Sequence, residues 1–97
     1  MNDYIFLVHD DATSAISDDD WGAYLARLRS VGVFQGGSAI GGGACVRKAE
    51  RAPPLSAQIS GFIRVTAQDL AQAKILLAGT PVYEAGGTVE IRELPRT

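Results

Sequence analysis

An unbroken apolar run, Tyr4-Ile5-Phe6-Leu7-Val8, lies near the start of the 97-residue chain and is followed by the polar residues His9-Asp10-Asp11. Aromatic and β-branched side chains favour extended backbone, and a continuous run of them is typical of a strand that is covered on both faces. The run therefore predicts the central strand of a sheet, ending near His9.

A helix is predicted after this strand. Ser17 or Asp18 can cap its N-terminus, where the helix dipole favours acidic side chains. Apolar residues then recur at i, i+3, i+4 and i+7, which is the spacing of one helix face: Trp21, Tyr24, Leu25 and Leu28. Gly32 follows at a position suited to a left-handed residue that ends the helix.

Five glycines lie between Gly36 and Gly43, inside the segment Val33–Val46. Interior glycines weaken a regular ladder, so the segment predicts a strand interrupted by a bulge or bend. The glycine cluster lacks the spacing of a phosphate-binding loop, and no helix follows it. The polar stretch from Arg47 to Pro54 is predicted to connect two strands.

The second half of the chain repeats the strand and helix pattern. In Gln58–Val65 the residues Ile59, Gly61, Ile63 and Val65 alternate with Ser60, Phe62 and Arg64, as the two faces of a strand do. Thr66–Asp69 resembles a capping box that opens a helix reaching Ala78.

The predicted core stripe of this second helix is Leu70, Ala73 and Leu77, and Gly79 and Pro81 are expected to end it. Thr88–Leu94 then alternates again, with Val89 and Ile91 on one face. This alternation predicts the last strand.

Four strands and two helices in this order predict one α+β domain over residues 1–97 with the ferredoxin-like β-α-β-β-α-β plan. Both helices would cover one face of a four-stranded antiparallel sheet. The other face would carry a mixed set of side chains: Ser60, Phe62, Arg64, Thr88, Glu90 and Arg92. Such a face is either exposed, a dimer surface, or the lining of a pocket.

Charge and composition argue against several function classes. The net charge is −2 and the pI is 5.2, so the sequence lacks the excess positive charge that is typical of proteins that bind nucleic acid or an anionic membrane. The segment Gly61–Val65 resembles part of the RNA-binding strand motif of RNA-recognition domains. In that motif a Lys or Arg precedes the glycine, where this chain has Ser60, and an aromatic residue that stacks on a base occupies the position of Arg64. No targeting segment is visible, and the single cysteine, Cys45, suits a reducing cytoplasm.

A family resemblance is carried by Ile59–Val65 and by the segment Pro81–Arg92, which contains Gly-Gly-Thr-Val-Glu-Ile-Arg. Together with the strand that ends in His9-Asp10, these segments resemble the YCII-related (DGPF-type) family over nearly the whole chain. The resemblance implies a dimeric α+β barrel and a His–Asp pair used in lyase-like or isomerase-like chemistry on small molecules. One branch of the family removes chloride from a hydroxylated aromatic.

The chain departs from the family pattern at two places. Tyr24 occupies the position at which some relatives carry a histidine in the first helix. The Asp-Gly-Pro-Phe signature is absent, and the corresponding hairpin contains Glu50–Leu55. The departures favour a divergent branch.

His9 and Asp10 are the candidate catalytic residues. A histidine is suited to proton transfer near neutral pH, whereas the alternative is that His9 ends a strand and Asp10 turns the chain. Tyr24, Ser38, Arg64 and Arg92 are candidate ligand-binding residues. For Tyr24 the alternative is core packing, and for the arginines it is a salt bridge with Glu90 or Glu93.

Two hypotheses for function follow. The first is a homodimeric enzyme that uses acid–base chemistry on a small molecule in a dimer cavity. The second is a non-catalytic ligand-binding or regulatory dimer. No cofactor is expected, and one histidine and one cysteine far apart in sequence predict no metal site.

Overall fold

The computed structural model describes residues 1–96 as four strands and three helices. They follow in the order β1 (Asn2–His9), α1 (Asp18–Ser30), β2 (Phe34–Ala39), β3 (Ile59–Ala67), α2 (Leu70–Leu77), α3 (Pro81–Glu84) and β4 (Val89–Leu94). The strands form one antiparallel sheet in the order β2-β3-β1-β4. This arrangement confirms the α+β, ferredoxin-like prediction. Among residues 1–96 no helix is long and apolar enough to cross a bilayer.

The core lies between the sheet and the helices. On β1 the alternate residues Tyr4, Phe6 and Val8 are buried. Tyr4 and Phe6 belong to one apolar cluster with Ile63 and Val65 of β3, Tyr24 and Leu28 of α1, and Ala73 and Leu77 of α2. The predicted phase of β3 and the placement of both long helices on one face of the sheet are therefore confirmed.

The opposite side of the sheet, here called the open face, has no helix packed on it. Ile5 and Leu7 of β1 point to this side and are only half-buried. The prediction that β1 is covered on both faces is therefore wrong for a single chain, because every helix packs on the side of Tyr4, Phe6 and Val8.

Helix α1 begins and ends as its sequence predicts. The Ser17 hydroxyl accepts a hydrogen bond from the Asp20 amide, and the Asp20 carboxylate accepts one from the Ser17 amide, which completes a capping box. After the helix, Gly32 adopts the left-handed conformation at φ +77°.

Strand β2 is shorter than the predicted segment Val33–Val46. It ends at Ala39, and residues 40–58 form an irregular connection to β3, here called the 40–58 loop. The predicted bulge is present, since the register shifts between Phe34 and Gly36, and Gly36 has a φ of +121°. The loop glycines carry no side chain that could pack on the sheet and prolong the strand.

Helix α2 differs from its prediction in its cap and its buried face. Asp69 is the N-cap, accepting from the Gln72 amide, whereas β3 continues through Ala67 and so includes Thr66. Ala73 and Leu77 are buried as predicted, but Leu70 is 47% exposed because it stands in the first turn, outside the contact with the sheet. Pro81 starts the short helix α3, where its fixed φ fits the first turn.

Candidate functional site

The register of the sheet brings the polar residues of the open face into rows. Ile5 stands between Arg64 of β3 and Arg92 of β4, and Leu7 stands between Phe62 and Glu90. An apolar centre from β1 is thus flanked by charged side chains from both neighbouring strands. This is the mixed face that the sequence predicts.

His9 lies at the end of β1 on the open face, beside a carboxylate. Its Nε2 atom is 3.6 Å from Oε1 of Glu90, while Oε2 of Glu90 accepts a hydrogen bond of 3.2 Å from Arg92. Arg92, Glu90 and His9 therefore form a chain of charged and titratable groups. The His9 side chain is 21% exposed, yet Nε2 itself is buried and has no hydrogen-bond partner among residues 1–96.

The start of β4, which carries Glu90, is fixed by Asp11. The Asp11 carboxylate accepts hydrogen bonds from the amide and the hydroxyl of Thr88, at 2.8 and 2.7 Å, and the Thr88 carbonyl accepts from the His9 amide at 3.0 Å. These hydrogen bonds from Thr88 lower the pKa of Asp11 below its ordinary value. Asp11 thus ties the end of β1 to the strand that supplies Glu90.

Asp10 forms no side-chain hydrogen bond or ion pair with His9, Glu90 or Arg92. Its side chain is exposed, and its amide donates to the Gln58 carbonyl at 2.7 Å. Asp10 and Leu7 help to line an open cleft of about 560 Å³ under the 40–58 loop, here called the loop cleft. Its other walls come from both ends of that loop and the start of β3: Ile40, Gly41, Gly42, Gly43, Ala44, Leu55, Ala57, Gln58, Ile59 and Ser60.

Tyr24 lies on the helix-covered side of the sheet and is 4% exposed. Its hydroxyl donates to the Leu76 carbonyl at 2.9 Å. Burial raises the pKa of Tyr24 above its ordinary value, so the phenol remains protonated at neutral pH. This placement agrees with core packing, and it separates Tyr24 from His9 by the thickness of the sheet.

Ser38 lies on the edge strand β2, opposite Phe62 of β3, and its hydroxyl donates to the Ala39 carbonyl at 2.9 Å. It lines a second cleft, of about 360 Å³, between α1 and the β2–β3 side of the sheet, here called the α1 cleft. A third, more polar cavity of about 460 Å³ lies between α1 and α3 and includes Tyr24, Arg27 and Glu84.

The structure therefore joins some of the six candidate residues and separates others. His9 and Arg92 are linked through Glu90, and Arg64 shares their face. Asp10 borders the loop cleft, whereas Ser38 and Tyr24 line other cavities.

From the sequence, Glu90 is a member of the mixed face and a salt-bridge partner of the arginines, and it is not among the candidate site residues. Glu90 pairs with Leu7, two residues from His9 on β1, and is therefore a diagonal neighbour of His9 on the open face. The alternation of Thr88–Leu94, which puts Glu90 on the face opposite Val89 and Ile91, is the sequence signal for it. Residues 1–96 contain no cluster of three His, Cys, Asp or Glu side chains suited to a metal ion.

The fold and the open face define a ferredoxin-like α+β protein with an imidazole–carboxylate pair, His9 and Glu90, beside the end of strand β1. A solved structure of the same fold class is 5-chloro-2-hydroxyhydroquinone dehydrochlorinase (TftG) from Burkholderia phenoliruptrix AC1100, in complex with 2,5-dihydroxybenzoquinone. The match has a TM-score of 0.61 and 16% sequence identity, and covers 100% of this chain and 96% of that chain.

At this identity the likeness shows a related fold. No protein-family model matches the sequence, and no curated protein matches it.

Proposed function

We propose that the protein is a YCII-like enzyme that transfers protons on a small molecule, with His9 as the acid–base group. The observation that carries the proposal is the Nε2 atom of His9, which is buried without a hydrogen-bond partner in residues 1–96, at 3.6 Å from Glu90. A buried polar atom without a partner costs about 1–3 kcal/mol, and such atoms are rare in folded proteins. Rotation of Glu90 onto Nε2 satisfies this atom, and the proton of the substrate is then exchanged at the other ring nitrogen, Nδ1.

Glu90 is assigned the role of orienting the imidazole. Its carboxylate stands beyond hydrogen-bond range of Nε2, and a small rotation closes the gap and stabilises the imidazolium that forms when His9 takes a proton. Arg92 holds the other oxygen of Glu90. With His9 as base, the substrate first loses a proton. If the proton is returned to another atom of the substrate, the reaction is an isomerisation. If a leaving group departs with its bonding electrons instead, the reaction is an elimination.

The protein is proposed to act as a dimer through the open face. Its accessible surface is 6476 Å², whereas a compact 10.2 kDa chain exposes about 5,300 Å². The radius of gyration is 14.7 Å, against about 12.5 Å for a compact chain of this length. The excess area exceeds the roughly 800 Å² that each partner buries in a standard interface.

A second copy would cover Ile5 and Leu7 and enclose the groups around them. Arg64 and Arg92 would then line a chamber between two sheets, where a guanidinium binds a carboxylate or phenolate through two parallel hydrogen bonds. Hydroxylated and halogenated aromatic rings are the first substrates to test, because the structural neighbour is a dehydrochlorinase of a chlorinated hydroxyhydroquinone.

The test is a substrate screen with single variants. His9→Gln removes the base with little change in size, and Glu90→Gln removes the orienting charge. We expect His9→Gln to lower turnover by about 10²–10⁴-fold and Glu90→Gln to lower it less. Glu93→Gln is the matched control, since Glu93 lies on the same strand, exposed and opposite Tyr4. Turnover that is unchanged in His9→Gln would defeat the proposal.

A second candidate function is a non-catalytic ligand-binding dimer. It is favoured by the separation of Asp10 and Tyr24 from His9, since these residues do not converge on one cavity of the single chain. A ligand that binds and is recovered unchanged from wild type and from His9→Gln supports this function.

A further inference from the structure

The α1 cleft is distinct from the His9 face, because it lies on the helix-covered side of the sheet. Its walls are mainly apolar and come from α1, β2 and β3, with Val8 of β1 at the base. The apolar residues of the helix-covered side among them are Val8, Trp21, Leu25, Phe34, Ala39 and Ile63. Arg29 is the charged residue of this lining, and the polar residues Ser38 and Ser60 also border the cleft.

The cleft is open because the sheet beneath it carries small residues. Gly61 pairs with Val8 on one side and with Ala39 on the other. A methyl group built on Gly61 would meet only backbone atoms of Ser38 and Ala39, the nearest at 3.1 Å, and no atom of α1 within 4 Å. A larger side chain at this row would fill the space that Gly61 and Ala39 leave free.

Aromatic rings form two walls of the cleft and are held in place. The Trp21 ring packs edge-to-face on the buried Tyr24, with the ring centroids 6.4 Å apart and the planes at 74°. Phe34 starts β2, and both Trp21 and Phe34 pack against the core while remaining partly exposed. Partly exposed rings held in this way suit a flat apolar ligand, since stacked or edge-on aromatic contacts add to the effect of burial.

A cation stands at the mouth of the cleft. The Arg29 guanidinium lies over the Phe34 ring, 4.9 Å from its centroid, and this contact holds the exposed side chain beside the cleft. Among residues 1–96 no Asp or Glu side chain forms an ion pair with Arg29. Its donors therefore remain available to an anionic group on a ligand.

We propose that the α1 cleft binds a small planar aromatic anion, of one or two fused rings, with its carboxylate or phenolate oxygen on Arg29. The volume of about 360 Å³ is near the lower end of the range for small-molecule sites, which begins at about 300 Å³. The rings lie between Trp21 and the floor formed by Gly61 and Ala39. This site is independent of the proton transfer assigned to His9, so either can fail alone.

The test uses naphthoate as the probe and Trp21 as the reporter. Trp21 is the only tryptophan of the chain, so its indole N–H gives a single assignable signal in heteronuclear NMR. We expect a saturable shift of this signal with naphthoate and about tenfold weaker binding of neutral naphthalenemethanol, which lacks the charge-assisted hydrogen bond. No saturable shift with naphthoate overturns the site.

Substitutions at Arg29 and Ala39, with a control at Arg51, locate the site and its charge. Arg29→Gln is expected to weaken naphthoate about tenfold and to leave naphthalenemethanol unchanged, and the control Arg51→Gln changes neither. Ala39→Leu fills the floor and abolishes binding of both probes, with Ala39→Val as a smaller substitution if the leucine variant does not fold. Equal affinity of wild type and Arg29→Gln for naphthoate overturns the claim that Arg29 binds the anionic group of the ligand. Undiminished binding by the folded Ala39 variant overturns the claim that the ligand lies in the α1 cleft.

Discussion

At the scale of single residues, the candidate site depends on how Asp11 connects two strand ends. Its carboxylate accepts two hydrogen bonds from Thr88, whose carbonyl in turn accepts from the His9 amide. Because these bonds are made to the ionised carboxylate, the fold is more stable when Asp11 is charged. The position of Glu90 relative to His9 therefore depends on a residue whose side chain is hydrogen-bonded to Thr88.

We predict that Asp11→Ala destabilises the protein at neutral pH and that this difference shrinks in acid. The pKa of Asp11 is lowered in the folded state, so its contribution is fully present above the ordinary aspartate pKa of about 3.9 and is lost as the pH falls through the folded value. Urea unfolding of wild type and variant across this range measures the difference. Asp10→Ala is the control, and a difference that stays constant down to the lowest pH contradicts the assignment.

At the scale of elements, the pairing of β2 with β3 requires glycine at one position. A methyl group built on Gly37 would lie 2.5 Å from the carbonyl oxygen of Phe62 and 3.3 Å from the Cα of Ile63. These contacts are with backbone, which cannot move aside as the end of a flexible side chain can. The close approach of the two strands is what Gly37 permits.

We predict that Gly37→Ala lowers the free energy of unfolding by about 1–3 kcal/mol, the usual cost of an added group in a packed site. Gly41→Ala is the matched control, because a methyl group there meets nothing within 4 Å and should leave stability nearly unchanged. Chemical denaturation of both variants decides the matter. Equal stability of Gly37→Ala and wild type would show that β2 does not approach β3 this closely.

At the scale of the whole molecule, one sheet face remains without a partner in a single chain. The dimer proposal predicts a species of twice 10.2 kDa in sedimentation at micromolar concentration. Leu7→Lys places a charge at the centre of the open face and should shift the protein toward monomer. Ile75→Lys is the control, since Ile75 is 72% exposed on α2, on the other side of the molecule. A wild-type monomer under these conditions contradicts the dimer.

Local sequence patterns are sufficient to predict the order of the four strands and the two long helices, and the inner face of the sheet. The short helix α3 is absent from the prediction, in which Pro81 ends α2. The alternation in β3 and β4, the stripe in α1 and the cap at Ser17 are local patterns, because side-chain period and capping depend on neighbours within a few residues. These patterns also predicted the mixed character of the open face. The N-cap of α2 is Asp69, whereas the sequence pattern predicts Thr66. Both side chains have an oxygen that can accept a hydrogen bond from a helix amide, but Thr66 lies within β3.

Which side chains meet depends on the pairing and packing of elements that are distant in the sequence. Whether Glu90 stands beside His9 depends on the register of β1 against β4, which is a pairing between residues about 80 positions apart in the chain. The α1 cleft likewise arises from Trp21, Phe34 and Gly61, which are distant in sequence and are brought together by packing of α1 on the sheet. Local patterns specify elements, whereas a site is a set of long-range contacts, and this difference explains why the candidate residues of the sequence proved to be distributed over both faces.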